Sequence, residues 1–384
     1  MKPRLLLMLL PFSLTGCGMI NSFTGGEPNL EPPMELEPIE ARAPVQASWQ
    51  TNAGTDSGDQ FVRMTPVLDG ETLYVAGFDG KVSALDTKTG RIRWGVDVGE
   101  VLTGGVGVGE GRVLVGASRG EVIALDIRNG AELWRSMVPS EVLSAPEAAY
   151  GVVVVRTGDG SLTGLDPLDG AELWTYSRVT PALTLRGVSR PLLVQGAAIA
   201  GTDDGKVVVV DIGSGRVFWE RTIAPSQGRS ELDRMVDIDA TPKLLGRILY
   251  VVTFQGRLAA VDAETGEVIW GREASAYAGL DVDNDAVYVT DSDSAVRAYD
   301  RRTGAGLWGQ ESLLHRSLTG PVVVGDYVVV GDYEGYLHFL SREDGSQQGR
   351  MRLHDERIIS APITDGNWIY AASSGGRVAG YGVR

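Results

Sequence analysis

Cysteine and histidine are scarce in this sequence. Its 384 residues include one cysteine and three histidines. A single cysteine excludes a disulfide within the chain and a zinc site built from cysteines. The histidines, His315, His338 and His354, lack metal-ligand spacing, and we expect each to have a structural or surface role.

Positive charge is also in short supply. Lysine and arginine total 35 against 50 aspartate and glutamate residues, which gives a net charge of −15 at pH 7. Such an acidic chain is unsuited to bind a nucleic-acid backbone or an anionic membrane surface as its main partner. The length allows either several ordinary domains or one large repetitive domain.

The N-terminus has the pattern of an export signal. Lys2 and Arg4 precede an apolar run at residues 5–14 that is too short to span a bilayer. The tetrad LTGC at 14–17 resembles a bacterial lipobox. The resemblance implies a signal peptide at 1–16 and a lipidated Cys17, with a buried free cysteine as the alternative. Gly18, where an inner-membrane retention signal has Asp, implies outer-membrane anchoring.

A stretch poor in apolar periodicity follows the cysteine. Residues 18–44 are rich in Pro, Glu and Gly, a composition that cannot bury enough apolar surface to fold alone. We therefore expect residues 17–44 to form a lipidated, flexible tether that holds the folded body, residues 45–384, in the periplasm.

The rest of the chain is one repeated unit. ALDTKTGRIRW at 84–94 returns as ALDIRNGAELW at 124–134 and GLDPLDGAELW at 164–174. The repeated tryptophans are 38 to 51 residues apart, the length of a four-stranded propeller blade. They are Trp49, Trp94, Trp134, Trp174, Trp219, Trp270 and Trp308, with Gly349 at the eighth position.

Each repeat contains a β-branched or aromatic run, such as TLYVAG at 72–77, that predicts a second strand. A tight turn follows it, in which glycine, as at Gly256, is expected to supply the positive φ that a two-residue hairpin needs; Ser294 replaces glycine in one repeat. The third strand ends in Asp, as at Asp86, and a turn closes on Gly, as at Gly90. We expect the Asp to accept backbone N–H bonds there and the tryptophan to pack between successive blades.

The chain ends complement each other. The last repeat lacks a fourth strand, whereas the strand around Trp49 has no repeat before it. This predicts an all-β, eight-bladed propeller of four-stranded antiparallel blades, closed by the N-terminal strand. An open solenoid is the alternative.

The repeat resembles that of quinoprotein alcohol and glucose dehydrogenases, which implies a possible oxidoreductase holding pyrroloquinoline quinone and calcium. The vicinal cysteine pair of the alcohol-dehydrogenase branch is absent, although the glucose-dehydrogenase branch lacks it too. DVDND at 281–285 begins like a calcium loop, but Ala286 and Ser292 stand where glycine and glutamate belong. We therefore predict neither enzyme activity nor a cofactor.

Two long neighbouring connections interrupt the repeat. TPALTLRGVSRP at 180–191 presents Leu183, Leu185 and Arg186, and SELDRMVDIDATP at 230–242 presents Asp237 and Asp239. Both join a fourth strand to a first strand, so we expect them on one face of the ring. Apolar anchors beside charged groups suit a protein interface. The alternative is that the leucines pack on their own blade and the aspartates are solvated.

Together with LLHRSLTGPVVVGDYVVVGDYEGYL at 313–337, the lipobox, the tether, the repeats and these two loops resemble the BamB family of outer-membrane lipoproteins. The resemblance implies a non-enzymatic scaffold of the Bam complex that binds the POTRA domains of BamA and helps to deliver or orient unfolded outer-membrane proteins there, with direct contact to those proteins left open. It assigns partner binding to Leu183, Leu185, Arg186, Asp237 and Asp239. A polysaccharide-binding adaptor remains the other binding alternative.

Overall fold

The computed structural model describes residues 31–40, 42–43, 45–54, 62, 64–181, 183–185 and 189–383. These residues form 32 strands in eight four-stranded antiparallel sheets. No helix in the described part of the chain is long and apolar enough to cross a membrane.

The strands follow one another as blades of four. The N-terminal strand is β1, Val45–Asn52. The first four blades comprise β2 Val67–Asp69, β3 Thr72–Ala76, β4 Lys81–Asp86 and β5 Ile92–Asp97; β6 Leu102–Gly109, β7 Arg112–Ala117, β8 Glu121–Asp126 and β9 Glu132–Met137; β10 Glu147–Ala149, β11 Val152–Arg156, β12 Leu162–Leu165 and β13 Glu172–Tyr176; and β14 Leu192–Val194, β15 Ala197–Gly201, β16 Lys206–Asp211 and β17 Val217–Thr222.

The remaining blades repeat this order. They comprise β18 Lys243–Leu245, β19 Ile248–Val252, β20 Gly256–Asp262 and β21 Val268–Ala274; β22 Gly279–Val282, β23 Ala286–Thr290, β24 Val296–Asp300 and β25 Gly306–Gln310; β26 Val322–Val324, β27 Tyr327–Gly331, β28 Tyr336–Ser341 and β29 Gln347–Arg352; and β30 Ile363–Thr364, β31 Trp368–Ala372 and β32 Arg377–Val383.

The eighth blade is completed by the N-terminal strand. Its strand order is β30, β31, β32 and β1, and Val45 lies opposite Val383 in the β1–β32 pair. The predicted eight-bladed ring and its closure are therefore confirmed. Closure pairs the edge of β32 that would otherwise be open.

The hydrophobic core lies between adjacent blades. Second strands such as β3 and β11 are buried along their whole length. Side chains from one blade pack on the next: Tyr74 and Val82 of the first blade share a cluster with Val113 of the second. Because both faces of a blade are covered by neighbours, the inner strands are apolar runs rather than alternating ones.

The repeated tryptophan joins each blade to the next. In seven seams its indole N–H donates to a backbone carbonyl of the following blade, at 2.8 to 3.2 Å. In six of these seams the acceptor residue directly follows the end of that blade's third strand, and in the third blade Pro167 lies two residues after the end of β12. The pairs are Trp49 with Thr87, Trp94 with Ile127, Trp134 with Pro167, Trp174 with Ile212, Trp219 with Ala263, Trp270 with Arg301 and Trp308 with Arg342.

The Asp–Gly turn is shaped to receive this indole. Asp86 Oδ1 accepts the backbone N–H of Thr89 at 2.9 Å, and hydrogen bonds from Arg93 and Thr89 hold the pKa of Asp86 well below its usual range. Gly90 has φ of 67°, and a Cβ there would lie 2.3 Å from the ring of Trp49. Both the backbone conformation and the contact therefore require glycine.

A β-bulge precedes the tryptophan position in all eight fourth strands. In the second blade, for example, Leu125 pairs with Glu132 and Ala124 with Trp134, which leaves Leu133 unpaired. The fourth strand is the exposed edge of each blade, and a bulge there hinders pairing with another chain. The bulge residues of five successive blades are exposed and apolar: Leu133, Leu173, Phe218, Ile269 and Leu307.

One predicted turn differs from the sequence pattern. The left-handed residue is Gln255, with φ of 46°, and Gly256 does not have positive φ. Gly256 is needed for space, because a Cβ there would lie 2.2 Å from Thr253 Oγ1. Ser294, which replaces glycine in its repeat, adopts φ of 72° and keeps the turn.

Part of the predicted tether lies against the propeller. Leu36 packs on the core cluster that contains Leu313 and Leu318, and the backbone N–H of Ala43 donates to Gln348 at 2.9 Å. Composition favours disorder in an isolated segment, but a blade surface supplies partners for both its backbone and its leucine.

Replacing Trp174 by Phe tests the seam. Trp174 is buried and its indole donates to Ile212 at 2.9 Å, so we expect a loss of about 1 kcal/mol of unfolding free energy from the missing hydrogen bond. Trp174→Ala should cost about 3–5 kcal/mol because it also leaves a cavity. Leu173→Ala, at the neighbouring exposed bulge, is the control and should change stability by less than about 0.5 kcal/mol in urea titrations. Equal losses for Trp174→Phe and Leu173→Ala would contradict this role.

Candidate functional site

One face of the ring carries the connections from each fourth strand to the next first strand; we call it the connection face. The longest of these connections are adjacent. Residues 177–191 join β13 to β14, and residues 223–242 join β17 to β18. Both loops are fourth-to-first connections that flank the fourth blade, so they lie on the same face of the ring, as expected.

The leucines of the first loop are accessible. Leu183 is 39% exposed and Leu185 is 36% exposed. Neither lies in a strand. An apolar side chain held in this way at the surface is available to a partner without unfolding of the blade beneath.

The aspartates of the second loop are buried instead. Asp237 is 1% exposed and Asp239 is 4% exposed, so the expectation of acidic groups facing a partner is not met in this structure. Asp237 Oδ2 accepts the backbone N–H of Leu185 at 2.5 Å. The carboxylate of one loop thus fixes the backbone of the other and determines where Leu185 is presented.

A second hydrogen bond joins the loops near their ends. The backbone N–H of Arg190 donates to Thr241 Oγ1 at 3.2 Å. The Arg190 side chain pairs with Glu147 and donates to the Val106 carbonyl at 3.3 Å. Burial lowers the pKa of Arg190 to about 10, which leaves it charged at neutral pH. The C-terminal end of the first loop is therefore anchored to the second loop and to the second and third blades.

Arg156 is a buried residue of this candidate site that the sequence pattern did not bring forward. It ends β11, is 2% exposed, and donates to Ser189 Oγ at 2.8 Å and to Asp203 Oδ1 at 2.5 Å. It therefore ties the first loop to the turn after β15. The signal was present, because the equivalent positions of the other seven second strands hold Ala, Gly, Val or Thr. A buried arginine needs such complete pairing to be tolerated.

The charge around Asp237 is unbalanced. Burial is the main cause that raises its pKa, Asp239 and Asp203 add to the rise, and the hydrogen bond from Leu185 and the charge of Arg156 oppose it, so that the pKa of Asp237 is about 7. Asp237 Oδ1 has no hydrogen-bond partner among the described residues. The pair of loops is thus held by a carboxyl group whose protonation changes near neutral pH.

Two predicted residues lie outside the described part of the chain: Arg186, in the first loop, and Cys17, the predicted lipidation site. The described residues contain no group of three or more His, Cys, Asp or Glu arranged to hold a metal ion. On the connection face, Leu183 and Leu185 form an exposed apolar surface, which we call the apolar ledge. Buried polar groups beneath it, such as Asp237, hold its backbone in place.

These features define a class: an eight-bladed propeller built from quinoprotein-like repeats, with one face individualised by two long loops. The family profile for the outer membrane protein assembly factor BamB matches residues 45–101, 78–310 and 292–383. The chain belongs to the BamB family.

Individual relatives agree with the family match. The chain is 49% identical over 353 residues to the outer membrane protein assembly factor BamB of Pseudomonas aeruginosa, covering 92% of this chain and 93% of that protein. The crystal structure of BamB from Moraxella catarrhalis superimposes with a TM-score of 0.81 at 30% identity, covering 88% of this chain and 99% of that chain.

The quinoprotein enzymes are more distant. A europium-containing methanol dehydrogenase has a TM-score of 0.74 but is only 15% identical, over 89% of this chain and 94% of the enzyme; this likeness extends to the fold alone. The close relatives are named as an assembly factor and not as enzymes. The prediction of a non-enzymatic protein is therefore confirmed by the family.

Asp237 makes stability depend on pH in a direction that can be tested. Its pKa in the folded state, about 7, lies above the unfolded value of about 4. The stabilising effect of its protonation is thus complete below pH 4 and is lost as pH rises through 7. As pH rises from about 4 to about 7, the wild type should lose stability that Asp237→Asn retains. The difference in unfolding free energy should reach up to about 1.4 kcal/mol per unit of pKa shift.

Thermal unfolding of the two proteins in matched buffers measures this difference. Asparagine can still accept the Leu185 N–H through its amide oxygen, so the variant isolates the ionisation. Parallel pH profiles for the wild type and Asp237→Asn would contradict the assignment.

Proposed function

We propose that this protein binds the POTRA domains of BamA through the apolar ledge, and that as a scaffold in the Bam complex it assists the assembly and insertion of outer-membrane β-barrel proteins. Membership of the BamB family supports the role in assembly. The observation that carries the binding site is the presentation of Leu185, whose backbone N–H is held by the buried carboxylate of Asp237.

We assign different roles in binding to the residues of the two loops. Leu183 and Leu185 supply apolar surface that a partner can cover, and such centrally placed anchors dominate the energy of many interfaces. Arg186 follows directly in the sequence and supplies the charge that fixes orientation. Asp237 and Asp239 act from beneath: Asp237 positions the loop, and Asp239 adds negative charge next to it. A preformed loop binds more tightly because less conformational entropy is lost on association.

The proposed location follows from the N-terminus. A signal peptide at 1–16 directs export, acylation of Cys17 anchors the chain in the outer membrane, and the tether places the propeller on the periplasmic side. This is where the periplasmic POTRA domains and incoming unfolded outer-membrane proteins are available.

Replacing both ledge leucines tests the binding site. Leu183→Ala/Leu185→Ala should weaken binding to the purified POTRA region of BamA by at least about tenfold, since each anchor contributes on the order of 1 kcal/mol or more. Isothermal titration calorimetry measures the affinity. The matched control is Leu133→Ala/Leu173→Ala, which removes two leucines that are 46% and 47% exposed on outer strands. Equal weakening by both pairs, or by neither, would remove the ledge from the interface.

Substitutions beside the leucines separate contact from positioning. Arg186→Glu should weaken binding to the BamA POTRA region without changing the melting temperature, because it reverses a charge proposed to face the partner. Asp237→Ala should weaken binding through the loop, whereas Asp237→Asn, which retains an acceptor for the Leu185 N–H, should preserve it. If Asp237→Ala binds as tightly as the wild type, Asp237 does not position the ledge.

A further inference from the structure

The seam between the seventh and eighth blades differs from the other seven. Elsewhere, the tryptophan donates to a carbonyl in the turn between the third and fourth strands of the next blade. The eighth blade has no such turn, because its third strand is β32 and its fourth is β1. The seventh blade correspondingly has Gly349 at the tryptophan position, opposite Phe339.

The segment before β1 fills this place. The backbone N–H groups of Arg42 and Ala43 donate to the Gln348 carbonyl at 2.7 and 2.9 Å. A Cβ on Gly349 would lie 3.0 Å from the Cβ of Ala43, so the space that a larger side chain would need is already taken. Arg350 reaches further along the segment and donates to the Glu37 carbonyl at 2.9 Å.

The other end of the segment is fixed at the connection between the sixth and seventh blades. The backbone N–H of Met34 donates to the Leu314 carbonyl at 3.0 Å, and Arg316 Nη1 donates to the Met34 carbonyl at 2.9 Å. Between these bonds, Leu36 packs on the cluster that contains Leu313 and Leu318.

Arg316 is itself rigidly held. It is 2% exposed, and its Nε and Nη2 donate to Asp332 at 3.0 and 2.8 Å. Asp332 also bonds His338 Nε2 at 2.9 Å, and burial lowers the pKa of His338. His315 and Ser317, on either side of the arginine, have φ of 60° and 49°. Left-handed residues of this kind persist where the surroundings enforce them.

We infer that residues 34–40 and 42–43 act as a strap over the seventh blade. Its Ala43 end seals the seam between the seventh and eighth blades in place of a tryptophan, and its Met34 end fixes where the N-terminal chain leaves the propeller. Leu314 and Arg316 lie in a fourth-to-first connection, residues 311–321. The chain therefore departs on the connection face, the same face that presents Leu183 and Leu185. This inference does not depend on the identity of the partner.

Truncating Leu36 tests whether the strap is docked in the full-length protein. Leu36→Ala should lower the melting temperature by a few degrees and speed tryptic cleavage after Arg42 by at least tenfold, since docking of the strap protects that bond. Glu35→Ala is the matched control, because Glu35 is exposed, and it should leave both readouts unchanged. Equal cleavage rates for wild type and Leu36→Ala would overturn the strap.

Placing a tryptophan at position 349 tests whether the strap and the tryptophan compete for the same space. Gly349→Trp recreates the repeat consensus, yet we expect it to displace Ala43, to expose Arg42 to trypsin and to lower the melting temperature. If Gly349→Trp raises the melting temperature and leaves Arg42 protected, the seam can use a tryptophan and does not need the strap.

Cross-linking tests the point of departure. In a full chain carrying Cys17→Ser, the pair Met34→Cys/Leu314→Cys should form a disulfide on mild oxidation. The control pair Met34→Cys/Asp326→Cys places its second cysteine in the turn between β26 and β27, at the opposite face, and should remain reduced. Failure of the first pair, or equal oxidation of both, would overturn the assigned exit.

Discussion

The hydrogen bond from a tryptophan indole to the next blade is the interaction on which the ring depends. It connects units that otherwise meet through apolar side chains. It depends on the side chain that shapes the acceptor turn, Asp in six blades and Ser341 in the seventh, and on the glycine over which the indole lies. Apolar burial is not directional, whereas a hydrogen bond specifies an alignment. Repetition of this joint fixes how far each blade is rotated from its neighbour.

The position of this hydrogen bond also determines which loops can change in length and sequence without affecting the ring. It lies at the ends of the blades that carry the turns between third and fourth strands, so the connection face at the other end is not constrained by it. There, two long loops are held by a different device: buried polar groups that reach between loops, with Arg156 bonded to Ser189 and Asp237 bonded to Leu185. At the seam between the seventh and eighth blades, the eighth blade has no turn between its third and fourth strands to accept an indole N–H. There, Gly349 together with residues 34–40 and 42–43 takes the place of the tryptophan.

Much of this fold could be predicted from the sequence because its determinants are local and repeated. The spacing of the tryptophans sets the blade length, and the runs of β-branched residues mark second strands, which the structure confirms. The prediction that Gly256 supplies the positive φ of its turn was wrong, because Gln255 does so. A glycine can be needed for close packing as well as for positive φ, and the sequence does not distinguish the two uses.

The candidate site was less accessible to sequence reasoning. The position of the two loops follows from their length, but the burial of Asp237 and Asp239 depends on how the loops fold over each other. An acidic pair in an irregular segment is usually solvated. The role of Arg156 depends on contacts with residues 33 and 47 positions away, although its place at the end of an apolar strand marked it as unusual.

Hydrogen exchange of the full chain, with and without the POTRA region of BamA, tests whether the two long loops form the binding surface. Binding should slow exchange at the amides of residues 183–185 and 234–240 and leave the turns between third and fourth strands, such as 87–90, unchanged. Protection confined to the outer strands or to those turns, with the two loops unaffected, would contradict it.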